Sequence, residues 1–250
     1  MNQTIINQLK HRTIREFTGE EIDDSTIKTL FDVVNMSASS NGMQNMSIIR
    51  VTDPKIKEKL AENGNQAYMA RATELWIFLV DLKRNYEIAK EMGIENDTMI
   101  SFDKFIQGFT DAIIAAQNLT IAIESLGLGA NYFGKIHNDT KKVIEILKMP
   151  KLTYPAVGVG FGVPNQDPQI KPRLDINLKT FENSYKVHNS YLNLVKDYDE
   201  EMTTYYDLRD SGRESESFSS QIPKKQGSSI KNRNKMFETL VDQGFVLNPS

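Results

Sequence analysis

TELWIFLVDL, residues 73–82, is apolar on both faces and of strand length, which predicts a central strand covered by other elements on each side. Its single Trp76 reads as a core residue. Upstream, MSIIRVTD (46–53) is a second β-branched run, and PKIKEKLAENG (54–64) between the two reads as a short helix closed by Gly64. Downstream, YPAVGVGFG (154–162) predicts a further strand, in which alternate glycines leave room for something flat or another backbone. GLGANYFGKI (127–136) predicts another strand, entered through a tight turn.

Helical patterns alternate with these strands. Residues 2–10 carry Ile5, Ile6 and Leu9 at helical spacing, and Ile27, Leu30, Phe31 and Val34 follow Asp and Ser caps in DDSTIKTLFDVVNMSASS (23–40). From about 97 to 126 one long helix is expected, with Phe105, Phe109, Ala112, Ala116, Leu119 and Ile123 on one stripe. HNDTKKVIEILKMP (137–150) reads as a capped helix stopped by Pro150. The intermingling of the two element types implies an α+β or mixed α/β fold. Residues 165–193 read as an extended arm, the following segment as a helix dissolving into a Ser-rich charged stretch, and 230–243 as a last helix.

Composition excludes several functions. The chain has 250 residues and a formal charge of −3, without the basic field that nucleic acid or acidic membranes demand. It has no cysteine, so disulfides, thiolate catalysis and cysteine metal sites are excluded. His11, His137 and His188 are widely separated, and no metal site is expected. The first residues lack the features of a secretory signal, and no apolar run approaches bilayer length, so a soluble cytoplasmic protein is expected.

Three clusters carry candidate chemistry. HRTIREF (11–17) presents two guanidiniums and an imidazole after a helix, a set suited to phosphate oxygens; the plainer reading is a solvated basic turn paired with Glu16, Glu20 and Glu21. KPRLD (171–175) is a second basic pair that could close on the same phosphate. SASSNGMQN (37–45) is uncharged and rich in donors and acceptors, suited to a heteroaromatic ring or sugar alcohol chain, or else a plain helix-terminating loop. The chain has no GxSxG elbow, and LGLGANYFGK lacks the full GxGxxG spacing. An enzyme built this way relies on a bound cofactor.

The order HRTIREF, SASSNGMQ, GNQAY (64–68), QNLTIAIESLGLGANYFG (117–134) and GVGFGVPNQDPQIKPRLD (158–175) resembles the nitroreductase superfamily, and within it the NADPH-dependent nitroreductase and flavin reductase branch with a C-terminal extension. The resemblance implies an α+β fold with a mostly antiparallel central sheet flanked by helices, an FMN-binding core over 1–165, and an extension over 166–250 comprising an arm, an NADPH-contacting flap and a final helix. It also implies an intertwined homodimer with FMN at the subunit interface.

By the same resemblance His11, Arg12, Thr13 and Arg15 bind FMN, Lys171 and Arg173 complete the phosphate clamp, and Ser37, Ser39, Ser40, Asn41 and Gln44 come from the partner subunit. Gln66 and Tyr68 lie near the isoalloxazine, and Phe133 and Gly134 lie against the ring with backbone donors. Lys135 stands where the family often has a second glycine, near the flavin edge or the pocket mouth. Arg209 and Arg213 in YYDLRDSGRESESFS (205–219) match the region that grips the 2′-phosphate of NADPH. The implied activity is two-electron, ping-pong reduction of nitroaromatics, quinones, azo compounds or free flavin, with no catalytic side chain required. Two other readings are a flavin-binding sensor or carrier with little turnover, and a relative that fragments flavin or removes halogen from an aromatic ring.

Overall fold

A computed structural model describes residues 1–207, 213–214 and 216–249. Packing divides the chain into two units, Met1–Asp167 with Ile230–Ser250, and Pro168–Ser229. Among the described residues no helix is long and apolar enough to cross a membrane.

The first unit is built on a four-stranded sheet of β1 (Met46–Arg50), β2 (Glu74–Asp81), β3 (Gly129–Phe133) and β4 (Thr153–Gly162), in the order β1-β2-β4-β3 with every pairing antiparallel. The expected central strand is β2. Its alternation assigns Trp76 and Phe78 to one core and Leu75, Ile77 and Leu79 to another, so both faces of the sheet are covered. On the first face Trp76 and Phe78 meet Ile27, Leu30 and Val34 of α2 (Asp24–Asn35) and Ala112, Ala116 and Leu119 of α5 (Phe102–Ser125). On the second, Leu75 and Ile77 meet Leu60 of α3 (Pro54–Gly64) and Val143 of α6 (Thr140–Ile146). Trp76 is fully buried, stacked on Phe31 at 4.0 Å between ring centroids, with its indole N–H donating to Glu74 at 3.0 Å. α1 (Gln3–Leu9) and α4 (Lys83–Glu91) complete the helices before α5.

Local termination differs from the sequence reading in three places. The long helix begins at Phe102, because Ser101 caps it and the flanking backbone bonds go elsewhere: the Phe102 N–H donates to the Val246 carbonyl at 2.7 Å and the Val246 N–H to Ile100 at 2.9 Å. The helix of 54–64 is stopped by Asn65 at φ 48°, with Gly64 still helical. The helix of 140–146 ends ahead of Pro150, at a left-handed Lys148 (φ 50°).

The flat group expected over the glycines of 158–162 is the protein's own. A Cβ on Gly160 would lie 2.5 Å from Cε2 of Phe133, whose ring is fully buried there. Segment 230–250 returns to the first unit because Leu240 of α10 (Met236–Asp242) and Phe245 join Phe105 and Tyr154 in a third apolar cluster.

The second unit holds α7 (Tyr191–Leu194), α8 (Lys196–Thr204), the short antiparallel pair β5 (Tyr206–Asp207) and β6 (Arg213–Glu214), and α9 (Phe218–Gln226). The Ser-rich stretch expected to lack structure supplies the start of α9. Ser217 caps the helix, and the Asp199 carboxylate accepts from the N–H and hydroxyl of Ser219 at 2.8 and 2.6 Å. Tyr198 packs on Phe218 with ring centroids 5.2 Å apart.

Candidate functional site

Segment 11–18 runs extended along one edge of the sheet. Thr13 bridges Ala130 in parallel, and the Ile14 N–H donates to the Ala130 carbonyl at 2.9 Å. The Ile14 side chain is buried where a Cβ on Gly129 would lie only 2.6 Å from Ile14 Cγ1, so glycine at 129 is what lets the segment approach. Phe17 then bridges Pro164, and the Gln166 side-chain oxygen accepts from the N–H groups of Arg15 and Glu16 at 2.6 and 2.7 Å.

This path separates the basic residues. His11 Nδ1 lies 2.5 Å from Glu124, and Arg12 pairs with Asp167, so neither takes the Glu16, Glu20 or Glu21 partners of the plainer sequence reading; Glu16 instead pairs with Arg71 at 2.5 Å. Lys10, His11, Arg12, Gln166 and Asp167 line a cavity of about 260 Å³. Arg15 turns the other way, its guanidinium carbon 5.9 Å from the Tyr68 ring centroid.

Tyr68 leads into a second cluster. Its ring lies 5.8 Å from that of Phe133, and the Gln66 amide donates to its hydroxyl. Gln66 is buried, and its side-chain oxygen has no hydrogen-bond partner. A Cβ on Gly64 would lie 3.5 Å from that oxygen and 3.7 Å from Cβ of Lys135, while a Cβ on Gly134 would meet nothing within 4 Å. Arg15, Gln66, Tyr68, Phe133 and Lys135, far apart in sequence, are therefore linked by contacts, and Gly134 beside them faces open space. The Phe133 ring itself packs against Gly160.

The polar loop is held elsewhere on the unit. Ser40 donates its N–H and hydroxyl to Asp111, and the Asn118 amide donates to Ser37 at 3.1 Å. Asn41 (φ 52°) and Gln44 (φ 51°) take left-handed backbone, and Arg84 donates to the Gln44 carbonyl. Asp111, which anchors this loop, and Glu124, which anchors His11, lie about 20 Å apart along α5 at a helical rise of about 1.5 Å per residue. Ser37, at the start of the loop, is held nearer, at Asn118, about 9 Å along the helix from Glu124.

Lys171 and Arg173 belong to the second unit, where Arg173 donates to the Lys171 carbonyl at 2.6 Å. Arg209 and the side chain of Arg213 lie outside the described residues. The sequence reading missed the acids Glu124 and Asp167, and Asp111 and Gln166. Asp111 carried a signal, a lone carboxylate between Gly108 and Ala115 on the buried stripe of α5.

The fold is that of an α+β protein, with a candidate site of cations and amides beside the β3 edge of its sheet. Residues 9–163 match the model of the Nitroreductase family, and residues 171–248 match that of the Nitroreductase family, C-terminal domain. The chain belongs to the nitroreductase family. It is 36% identical over 225 residues to the FMN reductase (NADPH) of Bacillus subtilis, covering 89% of this chain and 90% of that one. It is 34% identical over 225 residues, at the same coverage, to the oxygen-insensitive NADPH nitroreductase of Salmonella typhimurium. The structure of the NfrA1 nitroreductase from B. subtilis superposes with a TM-score of 0.90 at 33% identity, over 97% of this chain and 99% of that chain.

Proposed function

We propose that this chain is an NADPH-dependent oxidoreductase that holds FMN and reduces nitroaromatics, quinones, azo compounds or free flavin, acting in the cytoplasm as a homodimer. The observation that carries this reading is the contact of Arg15 and Gln66 with Tyr68 beside the open backbone of Gly134. These are cation, aromatic face, amide and unobstructed backbone, a set that grips a heteroaromatic ring.

The residues fit FMN. The buried Gln66 oxygen lacks a donor, which a ring N–H supplies, and nothing crowds the Gly134 backbone. When bound, FMN supplies two-electron hydride chemistry of a kind no side chain here can perform. His11, Arg12, Thr13 and Arg15, with Lys171 and Arg173, hold the phosphate and ribityl chain; Arg12 and His11 exchange their carboxylate partners for phosphate as they do so. Phe133 and Gly134 present backbone to the ring, and Lys135 stands at its edge. Arg209 and Arg213 take the 2′-phosphate of NADPH.

The placement of Ser40 at Asp111, about 20 Å along α5 from Glu124, supports a site completed by a second copy, in which Ser37, Ser39, Ser40, Asn41 and Gln44 come from the partner subunit. Ile106, Ile113 and Ile114 of α5 are exposed apolar residues suited to that contact. Purified protein should be yellow, release FMN on denaturation, be bleached by NADPH without oxygen and recover colour with a quinone. Colourless protein that takes up no FMN would overturn the reading.

A further inference from the structure

The cations of the site differ in what they already touch. His11 and Arg12 are committed to Glu124 and Asp167, and Arg15 lies over Tyr68. Lys135, in the turn that leaves β3, is exposed and makes no ion pair or hydrogen bond among the described residues. The acid in the same turn is not its partner: Asp139 accepts from the Lys142 N–H at 3.1 Å and from the Asn232 amide at 2.6 Å. Lys135 Cβ borders Gly64, beside the unpartnered Gln66 oxygen, and the preceding Gly134 faces open space. A lysine stem whose ammonium has no ion-pair partner among the described residues thus starts beside the site.

We infer that Lys135 sets a preference for electron acceptors bearing an anionic substituent, an aromatic carboxylate or sulfonate. This rests on the reductase reading above. The ammonium attracts a carboxylate on the acceptor ring and does nothing for a neutral ring of the same shape, so its effect is a difference between two otherwise matched molecules. At a partly desolvated rim, one such charge pair changes the preference by about 3- to 10-fold.

The test compares 4-nitrobenzoate with its neutral isostere 4-nitrobenzamide, by calorimetric binding to the purified dimer and by steady-state reduction with NADPH. The nitrobenzoate-to-nitrobenzamide ratio, in affinity and in kcat/KM, should fall about 3- to 10-fold in Lys135→Gln and further in Lys135→Glu. Rising salt should lower the wild-type ratio and leave that of Lys135→Gln flat. Unchanged ratios in both variants, or equal losses for both probes together with weaker FMN retention, would overturn the inference. If nitrobenzoate binds in a Lys135-dependent way and neither probe is reduced, the reductase reading fails while the role of Lys135 stands.

Discussion

One oxygen of Asp111 accepts both the N–H and the hydroxyl of Ser40, at 2.8 and 3.0 Å, while its other oxygen is buried without a hydrogen-bond partner. A carboxylate on the apolar stripe of α5 therefore serves to hold the polar loop, in which Asn41 and Gln44 occupy left-handed backbone. Asp111→Ala removes the acceptor and should cost about 2 kcal/mol, or roughly 4–8 °C in melting temperature. Asp111→Asn retains an oxygen for Ser40 and should cost less. Thermal melts of the two variants, with the FMN each retains through gel filtration, check this; equal losses would contradict the anchoring role.

The contact between Gly160 and the Phe133 ring leaves no volume for a methyl group, since Ala72 Cβ also lies 3.0 Å from the position a Cβ would take. Gly160→Ala should destabilise by about 1–3 kcal/mol through overpacking. Adding Phe133→Leu should recover part of that loss, and denaturant unfolding of single and double variants measures the coupling.

Under the proposed FMN role, removing Arg15 takes away a guanidinium for the phosphate and ribityl region. Arg15→Ala should weaken FMN binding about 10- to 100-fold, the range for a lost charge-assisted hydrogen bond. Gln66→Ala should weaken it by about tenfold. Fluorescence titration of apoprotein with FMN reads both.

His137 gives the fold a pH dependence. Burial pushes its imidazole below the ordinary value of 6.5, and the charge of Arg233 adds to this against the Ala156 carbonyl, which lies 2.9 Å from Nε2. The neutral ring is the buried form, and Nδ1 has no partner. The unfolded chain binds a proton first on acidification, so stability declines as pH falls from about 6.5 towards the lowered folded value, then levels off. His137→Gln should flatten this part of the profile, which urea midpoints between about pH 5 and 8 would show.

Under the proposed NADPH role, Arg209→Ala and Arg213→Ala should each raise the KM for NADPH by about tenfold while changing that for NADH little. Equal effects on the two donors would refute the assignment.

Much of the fold was legible because burial imposes its period on the chain. Leu75 to Val80 form an unbroken apolar run since both faces of β2 are covered, and the caps Asp23 and Asp139 stand at the helix starts they specify. Helix ends were less legible: Asn65 and Lys148 adopt left-handed backbone that local composition did not distinguish from the neighbouring Gly64 and Pro150. The break at Ser101 depends on Val246, a partner remote in the chain.

The site divides in the same way. The residue types proposed for it come from motifs, because a phosphate needs guanidinium and ammonium and a heteroaromatic ring needs amides and open backbone, wherever these lie in the chain. Which cations are already paired was decided in three dimensions, by Glu124, Asp167 and the path of Ile14 over Gly129. So was the packing of the Phe133 ring on Gly160 and the lack of an ion pair for Lys135 among the described residues. Periodicity and residue chemistry act locally and are written along the sequence; pair contacts between distant residues arise only when the sheet brings them within a few ångströms.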